Sequence, residues 1–344
     1  MHCFRKRIFL LLAIIFLATQ TTIASADTIT FSSTGSLWFF PDGSMIQGQQ
    51  LPLEEGAVTP ALICFDESGR QRWTHTLSHP AVGRSYCVQA DPSTFTYLYH
   101  DEASRFYLEF ISAAGILLKT EPLPESTREA ILYEGGVVCI SYTTSGVLLT
   151  LQPFQGKSTD YVLEGKTRMT LHPAVTLGDA LFIEARYRDG NDQSAISQLC
   201  FHDGEIWEYV LGDGFRWIIK NRAPNSLGGV TLFCQLDAEA GPELYLIVLD
   251  AAGNERSRAR VDSLSPAMDI SLAEWNGSDQ YRLYGSNGSL FVEALVSEQG
   301  DVLSCSTFPG APGYYVRYTG AQIYAVCFNA QLSTFEVIPS QSIR

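Results

Sequence analysis

The sequence lacks the motifs that mark familiar enzymes and nucleic-acid-binding proteins. It has 23 Lys and Arg against 37 Asp and Glu, so its formal net charge at pH 7 is −14. A surface of that sign repels phosphate backbones and anionic lipid headgroups, which argues against a nucleic-acid partner. The chain contains no H-E-x-x-H zinc helix, no G-x-S-x-G nucleophile elbow and no glycine-rich phosphate loop. No catalytic residue can therefore be assigned from a motif.

Metal and disulfide patterns are also missing. The eight cysteines form no C-x-x-C pair and no even framework of the kind that disulfide-rich domains show. Cys139, Cys234 and Cys327 lie in apolar segments, and we predict that they are buried and unpaired. The histidines show no metal-ligand spacing, and His75 and His79 are interpreted as a surface pair. The sequence predicts no bound metal and no cofactor.

The start of the chain has the pattern of a secretory signal peptide. Arg5, Lys6 and Arg7 precede an apolar run at residues 8–18, and Ala-Ser-Ala at residues 24–26 fits the small-x-small cleavage rule. Residues 1–26 are therefore predicted to be removed, leaving a mature chain that begins at Asp27. The run is short for a membrane span, although an uncleaved anchor is the alternative. We expect a secreted or extracytoplasmic protein with no membrane insertion after cleavage.

A repeat of about 46 residues fills the rest of the sequence. Apolar strand-like segments end in a glycine turn at intervals of 41 to 49 residues, at Gly69, Gly115, Gly156, Gly204, Gly253 and Gly300. A second series of turns, from Gly43 to Gly320, has the same mean spacing. One unit reads clearly as four strands, RWIIKNRA, GVTLFCQL, ELYLIVLD and ERSRARVD.

This period predicts an all-β fold, a seven-bladed β-propeller with four-stranded blades. One such unit cannot bury both faces of its sheet, so neighbouring units must cover each other. Seven first turns indicate seven blades, which form a single domain over residues 27–344. The last unit stops one strand short, and residues 28–31 precede the first unit. We therefore expect the N-terminal strand to complete the last blade and close the ring.

Two units resemble the pyrroloquinoline-quinone-type propeller repeat, a quinoprotein-like and WD-like family of β-propeller repeats. The resemblance lies in ICFDESGRQRW and LCFHDGEIW, in which the matching residues are Asp66, Gly69 and Trp73, and Asp203, Gly204 and Trp207. It implies a propeller of the kind found in quinoprotein dehydrogenases and in non-enzymatic envelope propellers. Quinone binding is not implied, because the sequence offers no vicinal cysteine pair and no recognisable calcium-binding set.

An arginine opens the predicted inner strand of four successive blades. The four are spaced by 44, 40 and 48 residues, and they are Arg84, Arg128, Arg168 and Arg216. In a propeller this position lies at the mouth of the central channel, where guanidinium groups can hold a carboxylate or phosphate in a bidentate manner. Neighbouring loops carry acids that could instead pair with them and stiffen the loops, namely Glu54, Glu55, Asp101, Glu102, Asp189, Asp192, Asp237 and Glu239.

These features favour an exported, non-catalytic propeller that binds a protein or glycan partner through the channel-mouth face. The arginines are the candidate ligand-binding residues, and they indicate an anionic group on the partner. The alternative from another class is a glycan-acting hydrolase or lyase with channel-mouth carboxylates at the same face. A third interpretation is the outer sensor part of an envelope complex, which would need a partner chain.

Overall fold

The computed structural model describes residues 29–32, 36–52, 58–172, 174–288, 290–309, 315–318, 323–329 and 334–339. Its regular elements are strands joined by short turns, so the predicted all-β class is confirmed. The predicted signal peptide, Asp27, Glu54 and Glu55 lie outside these ranges. Within them, no helix has the length and apolarity needed to cross a membrane.

In the described ranges, the strands form six antiparallel sheets of four strands and a further sheet of five, which we number 1 to 7 along the chain. The first strand, β1 (Ile29–Ser32), belongs to sheet 7. Sheet 1 contains β2 (Leu37–Phe39), β3 (Met45–Pro52), β4 (Val58–Phe65) and β5 (Gln71–Thr76). Sheet 2 contains β6 (Val82–Asp91), β7 (Thr94–His100), β8 (Phe106–Ser112) and β9 (Leu117–Pro122). Sheet 3 contains β10 (Glu129–Tyr133), β11 (Gly136–Tyr142), β12 (Gly146–Pro153) and β13 (Thr159–Glu164).

Sheet 4 has five strands because two short strands take the place of a single first strand. Its strands are β14 (Thr167–Leu171), β15 (Val175–Leu177), β16 (Ala180–Arg188), β17 (Ser194–His202) and β18 (Glu205–Asp213), and both β14 and β15 pair with β16. Sheet 5 contains β19 (Trp217–Pro224), β20 (Val230–Ala238), β21 (Gly241–Leu249) and β22 (Glu255–Arg260). Sheet 6 contains β23 (Asp269–Trp275), β24 (Gln280–Asn287), β25 (Leu290–Ser297) and β26 (Val302–Pro309). Sheet 7 contains β27 (Tyr315–Tyr318), β28 (Ile323–Asn329) and β29 (Thr334–Pro339), with β1 beside β29.

Strands in the middle of the sheets are apolar on both faces because each face meets a different neighbour. In β20, Leu232 and Cys234 pack in a core shared with sheet 4, whereas Phe233 between them packs in a core shared with sheet 6. Successive side chains of a strand point to opposite faces, so a strand buried on both sides reads as a continuous apolar run rather than an alternating one. This explains the unbroken segments that define the repeat.

Among the side chains that the structure describes, five hydrophobic cores lie between consecutive sheets, from sheets 1 and 2 through to sheets 5 and 6. Representative pairs, one residue from each sheet, are Leu62 and Phe95, Leu108 and Val137, Leu149 and Ile183, Phe182 and Ile247, and Leu246 and Tyr281. Each sheet therefore depends on the next one to remove its apolar surface from water.

The first strands of neighbouring sheets lie side by side. Strand β10 contacts both β6 and β14. Strand β15 contacts β19, and β23 contacts both β19 and β27. In sheet 7, β1 pairs with β29 in antiparallel register from Ile29 with Val337 to Ser32 with Thr334. The sheets thus follow one another in chain order, with their first strands on a common side.

Two tryptophans tie adjacent sheets together at their outer strands. The indole N–H of Trp73 in sheet 1 donates to the Ala113 carbonyl in a turn of sheet 2, at 2.9 Å. Trp207 in sheet 4 makes the same bond to Ala251 of sheet 5, at 3.0 Å. Both belong to the units that resemble the pyrroloquinoline-quinone-type repeat. The indole ring covers the glycine of that turn, where a side chain would not fit.

The cysteine prediction is confirmed for two of the three residues. Cys139 and Cys234 are buried and unpaired. Burial raises the pKa of the Cys139 thiol to about 12. Cys327 lies in β28, and its side chain is outside the described residues.

The contact of Trp73 with Gly115 can be tested by substitution at two glycines that have similar backbone conformations. Gly115 and Gly277 have φ values of +80° and +86°, so alanine costs about 1–2 kcal/mol of left-handed strain at either position. A Cβ at Gly115 would also lie 2.6 Å from the Trp73 ring, whereas Gly277 faces open space. We expect Gly115→Ala to lower the free energy of unfolding by about 3 kcal/mol or more, because overpacking adds to the strain. Equal losses for the two variants in urea denaturation would contradict the contact.

Candidate functional site

The four arginines predicted to bind a ligand lie at the beginnings of the first strands of sheets 2 to 5. Arg84 is the third residue of β6 and Arg168 is the second residue of β14. Arg128 and Arg216 directly precede β10 and β19. The repeat thus places one arginine near the start of the first strand in four consecutive sheets.

Backbone pairing brings each arginine beside the loop that joins the second and third strands of its own sheet. The pairs that show this are Val82 with His100, Arg128 with Ile140, Thr167 with Arg188, and Arg216 with Asp237. The loops that lead from one sheet to the next lie at this end too. We call this end of the sheets, marked by Arg84, Arg128, Arg168 and Arg216, the Arg face.

The side chains of all four arginines are exposed, and in the part of the chain that the structure describes none of them forms an ion pair with a carboxylate. Acids of the adjoining loops are paired with other arginines. Asp101 pairs with Arg105 at 2.8 Å, and Asp192 lies 3.5 Å from Arg188. The Nε–H of Arg216 donates to the Asp237 carbonyl at 3.2 Å. The charges of the four guanidinium groups are thus not neutralised by a carboxylate among the described residues.

Arg168 has an unusual backbone. Its φ is +49°, in the left-handed region, and the pairing of β14 with β16 shifts register between Thr167 and Thr170. A side chain with a Cβ pays about 1–2 kcal/mol for this conformation, which glycine adopts freely. Strain of this kind collects at functional positions because the surrounding structure holds the residue in place.

Aromatic side chains and a cleft accompany the arginines on the Arg face. Phe215, next to Arg216, is 75% exposed, and Tyr142, the last residue of β11, is 45% exposed. A cleft of about 640 Å³ opens between sheets 2 and 3. Its lining consists of Ser104, Arg105, Tyr107, Pro122, Leu123, Pro124, Glu125 and Gln152.

Behind the Arg face, charged side chains from several sheets shift the pKa values of Glu129 and His172. Glu129 in β10 accepts the Leu171 N–H at 2.9 Å. Burial raises the pKa of Glu129, and the Leu171 bond and Arg84 partly oppose this. Burial likewise lowers the pKa of His172, Glu184 opposes the shift, and Arg186 and Arg84 are among the cations that add to it. The environment of His172 therefore favours the uncharged form of its imidazole.

Glu184 is the centre of a buried ionic cluster between sheets 4 and 5. Its carboxylate accepts the Arg186 Nε–H at 2.9 Å and lies 3.6 Å from Nη2 of Arg222 in β19. Arg222 also donates to the side chain of Gln198. Burial lowers the pKa of Arg222, an effect that Glu184 opposes. The Nη2 group of Arg222 is buried without a hydrogen-bond partner, so the cluster holds one unsatisfied donor.

A second buried network joins sheets 1 and 2, and it overturns the interpretation of His75 and His79 as a surface pair. His75 is 8% exposed, and its Nε2 lies 2.7 Å from the buried Glu109 carboxylate. His79 lies 3.3 Å from the hydroxyl of Tyr99, which donates to Glu109 at 2.7 Å. Burial opposes ionisation of Glu109, but the bonds from His75, Ser78 and Tyr99 outweigh it and hold its pKa below the usual range.

Sequence reasoning found the Arg face but missed both buried clusters. The repeat places the arginines, because equivalent positions fall at equivalent places in successive sheets. Glu184 and Arg222 occupy non-equivalent positions on different sheets, so their pairing depends on how the sheets pack. The signal in the sequence was a charged residue inside an apolar strand, as in ALFIEARYR and FYLEFIS.

No protein-family model and no curated protein matches the chain. Solved structures of similar shape are β-propeller proteins. Prolyl oligopeptidase B from Galerina marginata has 12% identity and a TM-score of 0.53, over 92% of this chain and 50% of that chain. The β-propeller domain of the Trilobed protease from Pyrococcus furiosus has 7% identity and a TM-score of 0.50, over 86% and 94% of the two chains. BamB from Moraxella catarrhalis has 11% identity and a TM-score of 0.46, over 88% and 84%. The first two structures support a β-propeller repeat fold for this chain. The resemblance of two units to the pyrroloquinoline-quinone-type repeat is compatible with that fold.

The ionic cluster predicts a non-additive pair of substitutions. Glu184→Ala would leave Arg222 buried without its counter-ion, and we expect a loss of about 3–5 kcal/mol in the free energy of unfolding. Combining Glu184→Leu with Arg222→Met removes both charges and should restore part of that stability. Chemical denaturation of the wild type, Glu184→Leu, Arg222→Met and the double variant measures the coupling. A double variant at least as unstable as the sum of its single substitutions would show that the pair is not coupled.

Proposed function

We propose that the chain is an exported, non-catalytic, seven-bladed β-propeller that binds a protein partner through the Arg face. In this proposal residues 1–26 are removed on export, and residues 27–344 form one domain in a secreted or extracytoplasmic location. Sheets that follow one another in chain order, with their first strands in contact, support a ring of blades. The pairing of β1 with β29 supports closure of that ring by the N-terminal strand.

The observation that carries the binding proposal is the set of exposed arginines on the Arg face. The protein has a net charge of −14, yet it presents four guanidinium groups at one end without carboxylate partners among the described residues. Guanidinium groups bind carboxylates and phosphates through paired, charge-assisted hydrogen bonds. The partner is therefore expected to offer an anionic group.

The aromatic residues beside the arginines favour a protein over a glycan. Exposed Phe215 and Tyr142 lie with the arginines on the Arg face. Arginine and aromatic residues are enriched at the centres of protein–protein interfaces, where they account for much of the binding energy. A glycan with acidic groups is the second ligand that the same chemistry admits.

Glu129 is the observation that favours the alternative, a glycan-acting hydrolase or lyase at the same face. Its raised pKa is the property that a general acid needs near neutral pH. Glycoside hydrolysis usually requires a second carboxylate about 5–9.5 Å from the first. Enzymatic turnover of a polysaccharide that is lost in Glu129→Gln would replace the binding proposal with this one.

Site-directed photo-crosslinking in the producing cells tests the binding proposal. A photoreactive residue at position 215 should capture a defined protein, identified by mass spectrometry. Replacing Arg128 and Arg216 with Ala should reduce the adduct more than tenfold, because charge-assisted bonds contribute about 1.5–3 kcal/mol each. The control pair Arg70→Ala and Arg72→Ala removes the same charge from exposed positions of sheet 1 away from the Arg face. An adduct that is insensitive to the first pair, or equally sensitive to both, would contradict the proposal.

Arg168 allows binding to be separated from stability. Arg168→Gly should increase the free energy of unfolding by about 1 kcal/mol because it relieves the left-handed strain, whereas Arg168→Ala should not. Both variants remove the guanidinium group and should weaken capture of the partner equally. Denaturation and crosslinking of the two proteins measure the two effects. If both variants are destabilised and capture is unchanged, Arg168 has a structural role.

A further inference from the structure

At the opposite end of sheet 4 from the Arg face, two tight hairpins bring three potential metal ligands together. Asp179 lies in the turn between β15 and β16, and His202 and Asp203 lie where β17 turns into β18. The Nε2 atom of His202 is 3.2 Å from a carboxylate oxygen of Asp179, and its Nδ1 atom is 3.8 Å from one of Asp203. One ligand atom from each residue can be chosen so that all lie within 4.8 Å of one another.

One ring nitrogen of His202 can bind a given metal ion, so the relevant measure is that one donor atom from each residue lies within 4.8 Å of the others. Zinc binds imidazole nitrogen and carboxylate oxygen at about 2.0–2.2 Å, so two ligands of a tetrahedral site are about 3.4 Å apart. Asp179 and Asp203 are more than 80% exposed, and their side chains are free to close the remaining gap. The backbone beneath them is fixed, because Leu177 pairs with Ala180 and His202 pairs with Glu205.

The carboxylates of this cluster differ from those of other turns. Asp66 accepts backbone N–H groups of its own turn from Ser68 and Arg70, each at 2.9 Å. Asp250 does the same in sheet 5. The carboxylates of Asp179 and Asp203 are instead directed at His202. The two carboxylates carry two negative charges, which a divalent cation bound between them and His202 would neutralise.

There is also space for the other ligands that a metal requires. Asp179 and His202 line a cleft of about 270 Å³ between sheets 3 and 4 and another of about 220 Å³ between sheets 4 and 5. Trp207 and Tyr161 are among the aromatic residues in these clefts. Water or a donor atom of a bound molecule could reach the metal from either side.

We propose that Asp179, His202 and Asp203 bind one divalent cation of the zinc type. Imidazole favours zinc, cobalt and nickel, whereas magnesium and calcium prefer sites made of oxygen ligands alone. Three protein ligands leave at least one position for water, as in open zinc sites. The cation would link the two hairpins of sheet 4, and its binding does not depend on the ligand of the Arg face.

Isothermal titration of the metal-free protein with zinc chloride tests this site, with cobalt absorption as a second measurement of coordination. The wild type should bind one equivalent saturably, and the zinc should raise its melting temperature in a way that a chelator reverses. His202→Ala and Asp179→Asn should each weaken binding at least tenfold. All of these positions are partly or fully exposed, so the variants are expected to fold, which circular dichroism checks.

Glu205→Gln is the matched control. It removes a negative charge from the same hairpin, directly across from His202, but it is not a proposed ligand. Zinc affinity should therefore stay within about twofold of the wild type, and excess calcium should not displace the zinc. The proposal is overturned if the wild type shows no saturable binding or if His202→Ala binds zinc as the wild type does. An equal loss in Glu205→Gln would also overturn it, because it would indicate attraction to general negative charge.

Discussion

The structure depends on one constraint, which is that no sheet can bury both of its faces without its neighbours. Leu232 and Phe233 are adjacent in the sequence, yet they belong to different hydrophobic cores on opposite sides of sheet 5. Each of the five described cores is shared by two consecutive sheets. Repeat folds of this kind gain stability from interfaces between units. The tryptophan contacts to the next sheet serve the same purpose at the outer strands.

As a consequence, charged side chains lie either on a sheet face that packs against a neighbouring sheet or at the ends of the strands. Those that face a neighbouring sheet must be compensated, and Glu184 with Arg222 and Glu109 with His75 show this. Those at the ends of the strands remain in water, where they need no partner within the protein. The Arg face belongs to the second group, and its positive charge contrasts with the acidic protein around it. Binding groups can therefore vary at the strand ends while the packing between sheets stays the same.

Local patterns in the sequence were enough to predict the β class, the repeat and the positions of the arginines. Turn glycines such as Gly115 and Gly253 have a positive φ that other residues rarely adopt, so they mark the period. The partners of Glu184 and Glu109 could not be predicted in this way. Glu184 meets Arg222, 38 residues later in the chain, and Glu109 meets His75, 34 residues earlier. Such pairs depend on how whole sheets are positioned, and for the same reason the interpretation of His75 as a surface residue was wrong.

Arginine footprinting of the protein, alone and bound to a partner captured by crosslinking, tests the role of the Arg face most directly. A glyoxal reagent that modifies exposed guanidinium groups should label Arg84, Arg128, Arg168 and Arg216 in the free protein and leave the buried Arg222 unlabelled. In the complex, these four should be protected together, while Arg70 and Arg256 remain reactive. Protection confined to Arg70 and Arg256, or full reactivity of all four in the complex, would contradict the account.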